Sequence, residues 1–81
     1  MAYGQIREVD ATKRTARIAF DDGREVAVSF PPAANIEVLE PATLGTMGGA
    51  LEDLKVGYWV EASVHEPADG DCSCTSLVCL S

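Results

Sequence analysis

Residues 15–30 read TARIAFDDGREVAVSF, and the way this stretch pairs with itself decides the fold. Ala16, Ile18 and Phe20 alternate with Thr15, Arg17 and Ala19; beyond Asp21-Asp22-Gly23, Val26, Val28 and Phe30 alternate with Glu25, Ala27 and Ser29. Two runs of period two around a turn signal predict a β-hairpin. Parity fixes its register. A two-residue loop at Asp22-Gly23 would pair Phe20 with Glu25 and split the apolar residues between two faces. A three-residue loop at Asp21-Asp22-Gly23 pairs Ile18 with Val26 and Ala16 with Val28, which keeps every apolar side chain on one face. That loop is a type I turn closed by a left-handed glycine and a bulge.

The neighbouring segments extend the pattern. YGQIREVD, residues 3–10, predicts a first strand, and DATKR connects it to the hairpin. Pro31-Pro32 ends the third strand, since neither residue can donate to a ladder. NIEVLE, residues 35–40, predicts a short strand with Ile36 and Val38 on one face. PATLGTMGGALEDLKVG, residues 41–57, holds four of the seven glycines and no steady period. It is expected to be an ordered loop with one helical turn around Leu51–Leu54. YWVEASVHE resumes the alternation with Val60, Ala62 and Val64 inward, EPADGD is a polar turn, and CTSLVCL is the closing strand. Three strands, an irregular glycine-rich loop and two strands predict an all-β chain. The expected architecture is a five- to six-stranded barrel of the oligonucleotide/oligosaccharide-binding (OB) type, with an SH3-like barrel as the alternative. Residues 1–81 form a single domain with a thin core.

Gly4-x-Ile6-x-x-Val9-Asp10, Asp22-Gly23 and Leu54-Lys55-Val56-Gly57-x-x-Val60 together resemble small bacterial OB-like domains of unknown function. The resemblance rests on glycines, turn acids and core aliphatics. It implies the barrel, and it brings no catalytic residue with it.

Charge narrows the function classes. The net charge of −7 is uneven: residues 1–30 balance, whereas residues 31–81 carry Lys55 alone against Glu37, Glu40, Glu52, Asp53, Glu61, Glu66, Asp69 and Asp71. Such a surface repels phosphate backbones and argues against nucleic acid as a partner. Lys13, Arg14 and Arg17 form only a small solvated basic patch. MAYGQIREVD lacks the charged-then-apolar order of a signal peptide, and no stretch has the length of apolar sequence that spans a bilayer. The expected location is the cytoplasm, with no membrane partner and with reduced thiols.

All three cysteines fall in the last ten residues, CSCTSLVCLS. Cys72, Cys74 and Cys79 with His65 could supply a zinc site, but the spacing lacks the paired thiolate knuckles of structural zinc sites. A regular strand also turns Cys72 and Cys74 to one face and Cys79 to the other unless a bulge intervenes. A Cys-x-Cys disulfide is strained and would serve as a redox device rather than a staple. The expectation is that Cys79 packs in the core, that Cys72 and Cys74 lie at the strand's exposed start, and that no cofactor is bound. His65 has no sequence-evident partners for nucleophilic catalysis, so a non-enzymatic chain is expected. GTMGG, residues 45–49, lacks the lysine and hydroxyl of a phosphate loop.

Trp59 points outward if Val60 points inward, with Tyr3 and Tyr58 as potential companions. Exposed aromatics serve single-stranded nucleic-acid binders of this fold as stacking platforms, yet Glu61 and Glu66 flank this one. The leading expectation is a binding or assembly module that contacts a protein partner, or a second copy of itself. The contact would be made through Leu44 and Met47 of the loop at residues 41–53 and through Trp59. Metal or redox response of the cysteine tail and single-stranded nucleic-acid binding are the alternatives.

Overall fold

A computed structural model describes residues 2–40 and 42–80. Met1, Pro41 and Ser81, which the expectations for the N-terminus, the loop at 41–53 and the chain's end touch, lie outside the described residues.

The hairpin forms in the register that parity demands. Strand β2 (Thr15–Phe20) pairs with β3 (Glu25–Ser29) through Ile18–Val26 and Ala16–Val28. Phe20 donates its N–H to Arg24 O at 2.7 Å, Gly23 donates to Phe20 O at 3.0 Å, and Gly23 takes φ +92°. These are the marks of the type I turn with a glycine bulge. Asp22 accepts from the Arg24 backbone and guanidinium, which holds its carboxyl below the usual range.

Strand β1 (Ala2–Asp10) lies between β2 and β6 (Trp59–His65), antiparallel to both. Its Arg7 is skipped by the ladder, because Ile6 faces Ile18 and Glu8 faces Arg17. The bulge bends β1 so that it serves two neighbours. Gly4 is the point of closest approach: a Cβ there would stand 2.7 Å from Ala19 O and 2.9 Å from Ile18 Cγ2. Strand β7 (Ser73–Cys79) pairs antiparallel with β6 and meets β3 in parallel at Ser29–Ser73. The ring β3-β2-β1-β6-β7-β3 is thereby closed. In barrel order this is 1-2-3-5-4-1 with a parallel contact between the third and fifth strands, the OB arrangement.

Two strands stand outside the barrel. Strand β4 (Asn35–Glu40) runs parallel to β7 from Asn35–Ser76 to Val38–Cys79, and β5 (Gly45–Gly48) pairs antiparallel with β4. The segment expected to be an irregular loop thus contains a strand. Its backbone is held extended by β4, a partner that leaves no period in so short and glycine-rich a stretch. The expected helical turn is present as a 3₁₀ turn, η1 (Leu51–Asp53).

Among the described residues the core is apolar: Ile6, Ile18, Phe20, Val28, Phe30, Val60, Ala62 and Leu77 fill the barrel with Cys74 and Cys79. Leu51 and Leu54, both 2 % exposed, bring η1 into the same cluster as a plug. Among the described residues, no helix is long and apolar enough to cross a membrane.

Gly4→Ala is expected to lower the unfolding free energy by about 1–3 kcal/mol, because the added methyl meets backbone that cannot move aside. Gly48→Ala, whose Cβ meets nothing within 4 Å, should stay within about 0.5 kcal/mol of the parent. Urea titrations of the two variants check both values.

Candidate functional site

The cysteine-rich end is rearranged by one residue. Along the β6–β7 ladder Ser63 faces Ser76 while Val64 faces Cys74, so Thr75 is left over as a bulge. A bulge reverses the parity of the strand. Cys74 therefore points inward with Leu77 and Cys79, at 0 %, 0 % and 3 % exposure. The expectation of an exposed Cys74 is corrected on this ground, whereas Cys79 packs in the core as expected. Cys72 is half-buried against the core cluster. The Cys74 thiol donates to Ser76 O at 3.3 Å across the bulge, and burial pushes its pKa up to about 11. Cys72 and Cys74 are free thiols. His65 is exposed at the end of β6, opposite Ser73. Among the described residues no group of three or more His, Cys, Asp or Glu side chains is placed to hold a metal ion.

Both arginines of the basic patch are engaged by the fold. Arg14, at φ +56° in the β1–β2 turn, donates through Nε to Phe30 O at 3.0 Å and through Nη2 to Pro31 O at 3.3 Å. Arg17 pairs with Glu8 at 3.2 Å. Arg24 joins Asp22 and Glu66, which ties the β2–β3 turn to the connection between β6 and β7. These exposed ion pairs contribute little stability.

The three residues expected to meet a partner do not share one patch. Trp59 lies on the outside of the barrel and stacks on Tyr3, ring centroids 5.3 Å apart and planes 9° apart. Met47 belongs to the other face. The register aligns Val60, Cys79, Val38 and Met47 in one row across β6, β7, β4 and β5. Where that row leaves the barrel it forms an open groove of about 320 Å³, lined by Val38, Met47, Gly48, Asp53, Tyr58 and Cys79. Val38 enters on the face that the alternation in NIEVLE assigns to it, whereas Tyr58 and Asp53 join through the η1 turn and nothing in their spacing along the chain marks them.

Leu44 stands at the tip of the β4–β5 hairpin, 80 % exposed and at φ +60°. Its N–H donates to Glu40 O at 2.8 Å, so the left-handed conformation closes the turn. A bulky side chain in that region costs on the order of 1 kcal/mol. Glycine or asparagine would take the conformation more cheaply.

The edge of the sheet lies next to this leucine. β5 pairs on one side only, with β4. Gly49 donates to Ile36 O at 2.9 Å. By the alternation of an antiparallel ladder, Met47 is then the next residue turned toward β4, and Thr46 and Gly48 turn their N–H and C=O groups outward. All four residues of β5 are exposed.

Comparison with known proteins finds no matching family model, no matching curated protein and no matching solved structure.

Cys74 is expected to resist a thiol reagent such as 5,5′-dithiobis(2-nitrobenzoate) in the native protein, and Cys72 to react first. The raised pKa of Cys74 also fixes a pH dependence. Below pH 9 the thiol is protonated in both folded and unfolded chains; between 9 and about 11 only the unfolded chain loses the proton, so stability falls as pH rises. The loss is on the order of 2 kcal/mol. It should be present in the parent and absent from Cys74→Ala when urea titrations at pH 8 and pH 11 are compared.

Proposed function

We propose that this chain is a non-enzymatic assembly module that holds a protein partner through the β4–β5 hairpin. The observation that carries the reading is Leu44: a large apolar side chain, 80 % exposed, kept at φ +60° where it is strained. Neither folding nor solubility gains from it, and strain retained at an exposed site points to function. Met47, 54 % exposed, and the unpaired edge of β5 lie on the same hairpin.

Single-stranded nucleic acid fits less well. OB domains bind it on the face of the second and third strands. Here that face offers Thr15, Arg17, Ala19, Glu25, Ala27 and Ser29 and no aromatic residue, while the Tyr3–Trp59 stack lies on β1 and β6. A cytoplasmic module, where thiols stay reduced, suits the free Cys72 and Cys74.

A photoreactive p-benzoylphenylalanine introduced in place of Leu44 should give protein adducts in cells that make the chain, and in place of the exposed Ala27 it should not. Equal adducts at both positions, or none at either, overturns the reading. Leu44→Asn should raise the unfolding free energy by about 1 kcal/mol by relieving the backbone, and Leu44→Asn in the purified chain should lose the partner identified by the adduct.

A further inference from the structure

We infer that the partner is an extended basic–apolar segment, in which Lys or Arg alternates with aliphatic residues, and that it adds to the free edge of β5 as a further strand. The inference rests on the contact-module reading and gives the partner its chemistry. Three independent features of the hairpin agree.

The first is the backbone. Thr46 and Gly48 present two N–H and two C=O groups to solvent along β5, spaced for one more antiparallel or parallel strand. Gly48 has nothing within 4 Å of its missing Cβ. Space does not require a glycine there, and its absent side chain lets another backbone come close.

The second is the apolar row. A strand added to β5 extends the series Val60, Cys79, Val38 and Met47 by one position. Its side chain on that face would cover Met47 at the mouth of the groove floored by Val38 and Tyr58. Successive strand residues face opposite sides, so only alternate residues of the partner are apolar.

The third is charge. β4 and η1 carry Glu37, Glu40, Glu52 and Asp53, and β4, β5 and η1 hold no cation. The ion pairs among the described residues are Arg17–Glu8, Arg24–Asp22 and Arg24–Glu66, and none reaches these four carboxylates. A second copy of the chain would bring the same carboxylates edge to edge, and like charges so placed repel. On an added strand the cations fall on the face opposite the Met47 row, where Glu37 accepts from Thr46 Oγ1 at 2.8 Å, so a segment carrying Lys or Arg between its aliphatic residues meets Glu37 with the opposite sign.

The test uses two capped synthetic hexapeptides, Lys-Val-Arg-Val-Lys-Val and Glu-Val-Glu-Val-Glu-Val, titrated into the ¹⁵N-labelled full chain. The basic peptide is expected to shift the amides of Thr46, Met47 and Gly48 most, and to bind less tightly as salt is raised. Gly48→Pro removes one outward N–H that β4 does not use, and should weaken binding by about tenfold or more. Glu37→Gln should weaken it severalfold while leaving the amide spectrum of the free chain largely in place. If Gly48→Pro does not fold, Met47→Glu carries the same comparison. Binding of both peptides alike at β5 overturns the basic specificity. Shifts elsewhere, or none, overturn strand addition, and so does a concentration-dependent dimer that hides Thr46 and Gly48. Adducts at position 44 that persist through such a failure would leave the contact-module reading standing, whereas loss of both removes it.

Discussion

The fold turns on a short seam. Ser29 donates its backbone N–H to Cys72 O at 3.0 Å, and its hydroxyl reaches the same oxygen at 3.4 Å. This contact, followed by the single parallel pair Ser29–Ser73, is where β3 meets β7 and the barrel closes. Everything that distinguishes the molecule follows from how little of β7 the seam uses. The edge of β7 from Ser76 onward is still unpaired when β3 ends, and in a closed barrel that edge would be buried without partners at a cost of about 1–3 kcal/mol for each unpaired group. The chain satisfies it by turning at Pro31 and Pro32 and coming back alongside as β4. Ala34 donates to Pro31 O at 2.9 Å within that turn, and Asn35 then faces Ser76. β3 and β4 are in effect one interrupted strand, with the proline turn as the insertion.

That solution moves the problem outward. β4 brings its own second edge, which β5 covers, and β5 ends with an edge that no strand among the described residues covers. The return from β5 is constrained as well. Gly49 crosses so near β4 that a Cβ would lie 2.9 Å from Val38 Cγ2. The crossing delivers Leu51 and Leu54 to the core, where they plug the barrel. One stretch of some fifteen residues therefore does two jobs: it ends the core on one side and builds an exposed hairpin on the other.

Local pattern carried the first of these facts and not the second. The β2–β3 register was legible because Ile18, Val26, Ala16 and Val28 all have to share a face, and only one loop length allows it. The inward set of β6, Val60 and Ala62, was legible for the same reason. The bulge at Thr75 was not, because a one-residue slip in β7 leaves CSCTSLVC reading as an ordinary strand whose parity is simply wrong for Cys74. The physical signal lies across the sheet, in Val64 needing an apolar neighbour and finding Cys74. β5 was illegible because its extended backbone is imposed by β4, a non-local cause, on residues with low strand preference. Of the site, Leu44, Met47 and Trp59 stood out as large apolar residues among polar ones. Their division between two faces depends on register, and Tyr58 and Asp53 enter only through the plug turn.

An uncovered strand edge is a hazard that proteins blunt with charge, shortness or proline. β5 is short, and its neighbours on β4 are Glu37 and Glu40, with Glu37 accepting from Thr46 at 2.8 Å and from Asn35 at 3.2 Å. Those carboxylates discourage pairing between identical chains, since each copy presents the same sign at the same place. Yet protection alone does not explain the rest of the hairpin. A purely defensive edge would have no reason to carry Leu44 at a strained tip or Met47 in the open, and either residue could be polar without disturbing the core. Repulsion of like edges combined with exposed apolar anchors is the pattern of a surface that selects against one partner while remaining able to hold another. On the proposed reading the acidic half of the chain is more than a solubilising surface: it keeps an edge that the barrel's incomplete seam made unavoidable from its own copies and leaves it open to a strand of opposite charge.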